Sequence, residues 1–441
     1  MSKKKSTVQL NWETKNKQIT NSQQLLKDIE FVQPNPIILD QGMIVDFKND
    51  YFKHSKQKTN KLIKGDNLSV INALINQKYS QKIDLIYLDP PYFSNMDYTS
   101  NIYINNDSKK AVKRPAFKDT WEKGIDSYLD MMYQRLVLMK ELLSDNGSIF
   151  VHLDWHINHY VKILLDEIFT PNNFINEIIW CYGGGSNTKK SFQKKHDTIL
   201  WYAKGLDYIF NPQYRPYTDA TRQRGLTKVK GEKYKLNKKG ALMQDWWIDI
   251  NKILSPTAKE NLKYPTQKPE PLLKRIISTA SNENSLVADF FCGSGTLGRV
   301  CDELNRQWIM CDDSNIAINT CKYGLITNSH SLPFLVQTNH LNENLDKEEK
   351  ALEIVNSSED KITVNINLND FYHSSEIEYL EIDPNYNGKY FCSNYQFISQ
   401  KRFNNFSLNN INIELNKKLN PYNLAAKATN VYGNNKIIIY R

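Results

Sequence analysis

Residues 83–88 read IDLIYL, an almost unbroken apolar run, and the chain continues through Leu88 as LDPPYFSN. A strand that is apolar toward both faces must be covered on both, which is the habit of parallel sheets flanked by helices. The neighbouring text alternates accordingly. KLIK (61–64) predicts a short strand and GDN (65–67) a turn, and SVINALINQ (69–77) predicts a helix with Val70, Ile71, Leu74 and Ile75 as its apolar positions. SYLDMMYQRLVLMKELLSDNG predicts a long amphipathic helix that stops at Gly147, with GSIFVHL as the next strand. INHYVKILLDEIF reads as a helix, and NEIIWCY and HDTILWYA read as strands. EPLLKRIISTAS, SLVADFF, LGRVCDELN and RQWIMC then read helix, strand, helix, strand. Strands alternating with helices specify an α/β fold with a doubly wound sheet.

This pattern divides the chain. Residues 1–60 are polar and irregular, an N-terminal extension. The alternation occupies 61–182 and returns over 264–328, and 183–263 interrupts it with turn signals and little periodicity. From 329 to 441 Asn becomes abundant, and runs such as KITVNINL and NKIIIYR predict a small β-rich C-terminal domain. The interruption holds the charge: it carries 17 Lys and Arg against 7 Asp and Glu, whereas the whole chain has a net charge of only +9. An anionic partner surface and a solvated lysine-rich face both account for that. No apolar run approaches the roughly 18–20 residues that span a bilayer. The opening MSKKKSTVQLNW has positive charge with no apolar stretch behind it, so no signal peptide is expected. Six cysteines without a CxxC pair read as reduced intracellular thiols, and a cytoplasmic protein is expected.

SLVADFF followed by CGSGTLGRV sets Gly293, Gly295 and Gly298 in a G-x-G-x-x-G spacing between a strand and a helix. Glycines there let the backbone approach a ligand and let the helix pack close. Asp312 ends the next strand, 19 residues after Gly293, where a carboxylate accepts hydrogen bonds from ribose hydroxyls. Together these point to an adenosine-bearing cofactor without choosing between NAD and S-adenosylmethionine; a tight turn with no ligand is the plain alternative. In open α/β sheets ligands bind beyond the carboxyl ends of the strands, and LDPPY sits at such an end. Pro90 and Pro91 donate nothing, while Asp89 and the carbonyls around the prolines accept. A stiff cluster of acceptors beside the ring of Tyr92 suits a planar group carrying an NH2. Two acceptors on the hydrogens of an aromatic amine draw it toward tetrahedral geometry, free its lone pair and stabilise the positive charge that develops. A base presented this way has left its duplex and can stack on Tyr92. A rigid Pro-Pro turn after a strand-terminating Asp is the competing reading.

With DPPY at 89–92, DFFCGSGT at 289–296, TQKP at 266–269 and GDN at 65–67, the chain resembles the S-adenosylmethionine-dependent amino-methyltransferases of DNA from about residue 60 to 325. The order of motifs is that of the family's β group: catalytic motif, recognition region, then glycine turn. The resemblance implies a Rossmann-like methyltransferase sheet and a site-specific adenine-N6 methyltransferase, similar to modification methyltransferases of restriction systems. It gives Asp89, Pro90, Pro91 and Tyr92 the catalytic role: Asp89 and the Pro90 carbonyl hold the target amine, and Tyr92 stacks on the flipped base. It sets Asp289, Phe291, Gly293, Ser294, Gly295 and Thr296 along the cofactor and Asp312 on its ribose hydroxyls. Asp66 would lie near the cofactor's adenine, with Thr266 and Lys268 against its carboxylate. TQKP is equally a helix start, GDN equally an ordinary turn, and Phe290 stands where the family often has Pro.

The basic interruption falls where the β group carries its target-recognition region. Lys189, Lys190, Lys194, Lys195, Arg215, Arg222, Arg224, Lys228 and Lys230 are therefore candidates for the phosphates and base edges of double-stranded DNA. The loop 97–119 is a second candidate contact. A homodimer and a restriction nuclease subunit are compatible partners; a membrane is not expected. His152, His156 and His159 near Asp154 come closest to a metal site, but methyl transfer from a sulfonium needs no metal and none is expected. Cytosine N4 is the near alternative to adenine N6. An RNA substrate and an NAD-dependent oxidoreductase are further alternatives, the latter leaving DPPY and the basic segment unexplained.

Overall fold

The computed structural model describes residues 8–15, 24–38, 44–46, 59–103, 111–184, 189–226, 236–255, 258–340, 346–398, 410–416 and 423–441. An 11-stranded sheet runs through the protein. From edge to edge its strands are Trp246–Trp247, Phe174–Cys181, His196–Ala203, Leu143–Leu153, Ile83–Leu88, Leu286–Asp289, Gln307–Asp312, Asn60–Lys64, Phe334–Thr338, Lys27–Val32 and Phe391–Ser393. The consecutive strands from Leu143–Leu153 to Phe334–Thr338 are all parallel. His196–Ala203 and Lys27–Val32 flank them antiparallel.

Helices cover both faces. Asn67–Asn76, Gly124–Leu142 and Asn158–Phe169 bring Val70, Leu74, Leu136, Met139 and Leu165 against Ile86, Leu88 and Ile149. Glu270–Ala280, Thr296–Glu303 and Asn315–Ile326 bring Ile276, Leu297 and Cys321 against Leu85, Tyr87 and Val287. Alternate residues of one strand thus enter different cores, which is why IDLIYL has so little polar character. The fold is the doubly wound α/β sheet expected from the alternation. None of the described helices is long and apolar enough to cross a membrane.

Beyond Thr338 a 6-stranded and a 4-stranded sheet pack on one shared core that includes Val364, Ile366, Leu380, Ile413 and Ala426. Residues 1–60, read above as irregular, supply strands to all three sheets. Lys27–Val32 pairs with Phe334–Thr338, Pro36–Ile38 with Tyr395–Ile398, and Ile44–Asp46 with Asn410–Asn416. Such short strands take their order from partners hundreds of residues away, so local periodicity does not announce them. The long helix ends at Leu142, short of Gly147, because Leu143 already pairs with Ile83. The loop read at 97–119 is instead largely an antiparallel hairpin, Met96–Tyr103 against Ala111–Asp119.

The C-terminal sheets are tied to the central one by buried charge. Lys322, on the Asn315–Ile326 helix, pairs with Glu30 and lies 2.6 Å from Glu381. Lys427 lies 2.5 Å from Glu30 and 2.9 Å from Glu381. Two cations and two anions from four segments therefore close on one another, all within 5% exposure. Removing one member leaves an uncompensated buried charge, so Lys322→Met is expected to lower stability by about 3–5 kcal/mol in urea unfolding. A variant as stable as the parent would show that the quartet does not hold these sheets together.

Candidate active site

Ile83–Leu88 and Leu286–Asp289 are adjacent and parallel, with Leu85 opposite Val287 and Ile86 opposite Ala288. Their carboxyl ends therefore emerge side by side. The chain then leaves in opposite directions, from Leu88 toward Leu143–Leu153 and from Asp289 toward Gln307–Asp312. Such a switch point opens a crevice that no connection fills. Here it is a cleft with about 840 Å³ of empty space, including its open mouth, and its wall runs continuously from Asp89–Tyr92 to Gly293, Thr296 and Asp312.

The DPPY turn forms one end. The Tyr92 hydroxyl donates to Asp89 Oδ1 at 2.5 Å, and Lys268 Nζ donates to Asp89 Oδ2 at 2.5 Å. Lys268 also sits 5.3 Å from the centre of the Tyr92 ring. Burial, with Asp89 alongside, pushes the Tyr92 phenol well above its ordinary range, so it stays a donor. Behind Tyr92 its ring stacks on His152 at 6.2 Å, and Trp180 meets the same imidazole edge-on at 5.5 Å. His152 is fully buried between the Tyr87 hydroxyl, 2.9 Å from Nδ1, and Asp197, 3.0 Å from Nε2. Tyr182 donates to the other Asp197 oxygen at 2.8 Å. The stacking ring thus rests on a wall fixed by hydrogen bonds rather than on loose side chains.

The glycine turn forms the other end. Gly293 has φ +49 and a Cβ there would meet the Tyr264 ring at 3.0 Å. Asp312 accepts the Gly293 and Ser314 N–H groups, each at 3.0 Å, and burial pushes its carboxyl up to about 6. Asp289 accepts the Phe291 N–H at 3.0 Å, and burial pushes it well above the usual carboxylate range. Thr266, Lys268, Asp289, Phe291, Ser294 and Thr296 lie in the same wall.

Two candidates lie elsewhere. Asp66 is outside this wall; it caps the Asn67–Asn76 helix through Ser69 N–H at 3.0 Å and pairs with Arg135 at 2.7 Å. Gly295 is also outside it, and its φ is +72. A Cβ at Gly295 would come within 2.2 Å of Cys321 Sγ, so that glycine serves the packing of two helices.

On the basic segment Lys189, Lys190, Lys194 and Arg222 are exposed. Lys194 Nζ lies 3.2 Å over the Trp155 ring, Arg215 donates to Gln244 at 2.8 Å, and Lys195 is half-buried. Lys228 and Lys230 lie outside the described residues, as does the side chain of Arg224. His156 pairs with Asp154 at 2.7 Å.

Sequence reasoning missed three participants: Tyr264, the Asp197–His152 pair, and Asp119, whose carboxylate receives the Tyr92, Phe93 and Ser94 N–H groups at 3.1, 3.0 and 2.8 Å. Tyr264 stands directly before the TQKP region and was within reach of a local argument. The other two were not, because their partners are distant in the chain.

The sequence profile of the DNA methylase family matches residues 83–322. Type II methyltransferase M.EcaI of Enterobacter cloacae is 30% identical over 321 residues, 59% of this chain and 68% of its own. The Mod subunit of the type III restriction-modification enzyme EcoP15I of Escherichia coli is 27% identical over 36% of this chain and 27% of its own. Among solved structures, the complex of M1.HpyAVI with SAM is 22% identical with a TM-score of 0.40, over 60% of this chain and 98% of that one.

Gly295→Ala would force Cβ into Cys321 at a left-handed φ. It is expected to cost about 1–3 kcal/mol, read as a lower melting temperature. An unchanged melting temperature would contradict the packing role.

Proposed function

Since the chain belongs to the DNA methylase family, matched over more than half its length, we propose that it methylates the N6 amine of an adenine turned out of duplex DNA, as the modification enzyme of a restriction system. The observation that carries this reading is that the DPPY acceptors and the glycine turn, some 200 residues apart, open into one cleft. The cleft fits an adenosine-bearing methyl donor: it offers acceptors at Asp312, aromatic surface at Phe291 and Tyr264, and a cation at Lys268. The Gly293 turn, Ser294, Thr296 and Asp312 would hold that donor, with Phe291 and Tyr264 beside it. S-adenosylmethionine, when bound, supplies an electrophilic methyl group.

The chain's own residues do the rest. Asp89 accepts a hydrogen of the target amine, taking over from Tyr92 or Lys268, which hold its oxygens at 2.5 Å each. Lys268 compensates the carboxylate's charge while leaving it an acceptor. Tyr92, backed by His152, offers a ring for the base to stack on. Asp89 and Lys268 are 16% and 9% exposed, so these charges count for more than they would in open water. Asp rather than Ser ahead of the prolines favours adenine N6 over cytosine N4, whose enzymes more often carry Ser there. The exposed lysines and Arg222 of the basic segment support a double-stranded DNA substrate. The Mod-subunit relative supports a nuclease partner as a further proposal.

The test follows methyl groups from labelled cofactor into DNA and identifies the nucleosides by mass. N6-methyladenine is expected, and Asp89→Ala should lower the rate by about 10²–10³-fold or more while cofactor binding persists. N4-methylcytosine would keep the mechanism and change the base; no methylation of DNA would overturn the reading.

A second prediction concerns pH. A ribose donating two hydrogen bonds favours ionised Asp312, whose carboxyl titrates at about 6 without the cofactor. Affinity should therefore rise with pH through that value and level off above it, by about tenfold between pH 5 and 7.5. In calorimetric titration Asp312→Asn should bind weakly and lose this dependence. A pH dependence retained by the variant would remove Asp312 from the cofactor site.

A further inference from the structure

Asp119 ends the second strand of the hairpin and forms part of the cleft wall, yet it is only 1% exposed. A buried carboxylate persists only where donors replace its hydration. Asp119 has five. Oδ2 accepts the Tyr92 N–H at 3.1 Å, the Ser94 N–H at 2.8 Å and the Ser94 hydroxyl at 2.6 Å. Oδ1 accepts the Phe93 N–H at 3.0 Å and the Trp121 indole N–H at 2.9 Å. Pro90 and Pro91 have no N–H, so the first three backbone donors after them all converge on this one side chain. Successive N–H groups aimed at an anion make a nest, and nests need left-handed turns. Phe93 has φ +60 and Asn95 φ +56, conformations that a loop without an anchor would leave.

The other end of the hairpin is held by the C-terminal domain. Arg114, at 1% exposure, donates to the Val431 carbonyl at 3.2 Å and lies 3.4 Å from Glu378. Ile102 and Val112 pack on Val431. Between the two ends the Ser100 hydroxyl donates to the Lys263 carbonyl at 2.5 Å, just ahead of TQKP. Tyr98 and Phe117 stack at 4.6 Å and line the cleft.

We propose that Asp119 is a positioning residue that holds the DPPYFS loop in its reactive shape, and that the hairpin links that shape to the docking of the C-terminal domain. The proposal rests on the methyltransferase reading above. In this role Asp119 acts through the loop, from which both its oxygens accept. What it controls is where Asp89 and Tyr92 stand, and a displacement of the order of 1 Å in such a group lowers a rate by about 10²-fold.

The experiment compares Asp119→Asn with the parent enzyme, once the parent has been shown to methylate DNA; an inactive parent would count against the function and not against this inference. An amide has one acceptor oxygen and turns an NH2 toward N–H donors, so half the nest is lost. Turnover should fall by about 10²-fold while KM for DNA and the cofactor dissociation constant stay within about threefold. Trp121 fluorescence should shift, because its indole loses its acceptor. Turnover within threefold of the parent would overturn the proposal, as would a cofactor affinity that falls in step with turnover. Should Asp119→Asn not fold, Ser94→Ala and Trp121→Phe each delete one donor; several-fold slower turnover in both supports the role, and parental turnover in both overturns it. Arg114→Met tests the link at a distance: turnover reduced about tenfold with intact cofactor binding is expected, and unchanged turnover would sever the C-terminal domain from the loop.

Discussion

Two neighbouring parallel strands, Ile83–Leu88 and Leu286–Asp289, leave the sheet on the same edge and send the chain opposite ways. Everything functional in this protein depends on that divergence. A crossover covers the sheet beside each strand, and only where the crossovers part company does the carboxyl edge stay open. An acceptor turn from one strand and a glycine turn from the other then face a common space. The two turns need not be near each other in sequence for this. They need only end adjacent strands.

The loops at that edge must be held, since loops lack the ladder that holds strands. In this protein they are held by carboxylates. Asp312 gathers the Gly293 and Ser314 amides, Asp289 the Phe291 amide, and Asp119 the amides of residues 92 to 94. Asp89 differs, because its partners are the Tyr92 hydroxyl and the Lys268 ammonium rather than backbone amides. Asp119, filled by five donors, shapes its loop; Asp312 has one amide on each oxygen and keeps lone pairs for a further donor, and Asp89 is held by a lysine and a phenol.

Charge also ties the parts of the molecule together. The Glu30, Lys322, Glu381 and Lys427 quartet joins an N-terminal strand, a helix of the central sheet and two C-terminal strands. Arg114 with Glu378 and Val431 does the same for the hairpin. With so little solvent around them, these charges are compensated only by one another, so losing one member leaves its partner's charge buried and unpaired. The C-terminal strands are thereby in contact with the hairpin whose Tyr98 and Phe117 line the cleft.

Much of this was legible in the residues themselves. Doubly apolar strands and 3.6-residue periodicity determine an α/β sheet with helices on both faces, because both patterns are local consequences of backbone geometry. DPPY and the glycine turn were readable for the same reason: missing donors and missing side chains are properties of consecutive residues. The sequence alone also marked out Asp312, Thr266 and Lys268 as members of the site. Only the tertiary structure decided that Lys268 meets Asp89, that Asp66 caps a helix outside the cleft, and that Gly295 makes room for Cys321. It likewise decided that short strands before residue 60 complete sheets formed near the C-terminus, and that Asp119 receives the loop after the prolines. Apart from the Asp66 cap, which is local, each of these is a contact between residues far apart in the chain. Such contacts arise from the order of strands in the sheet, which leaves no periodic trace in the sequence on either side.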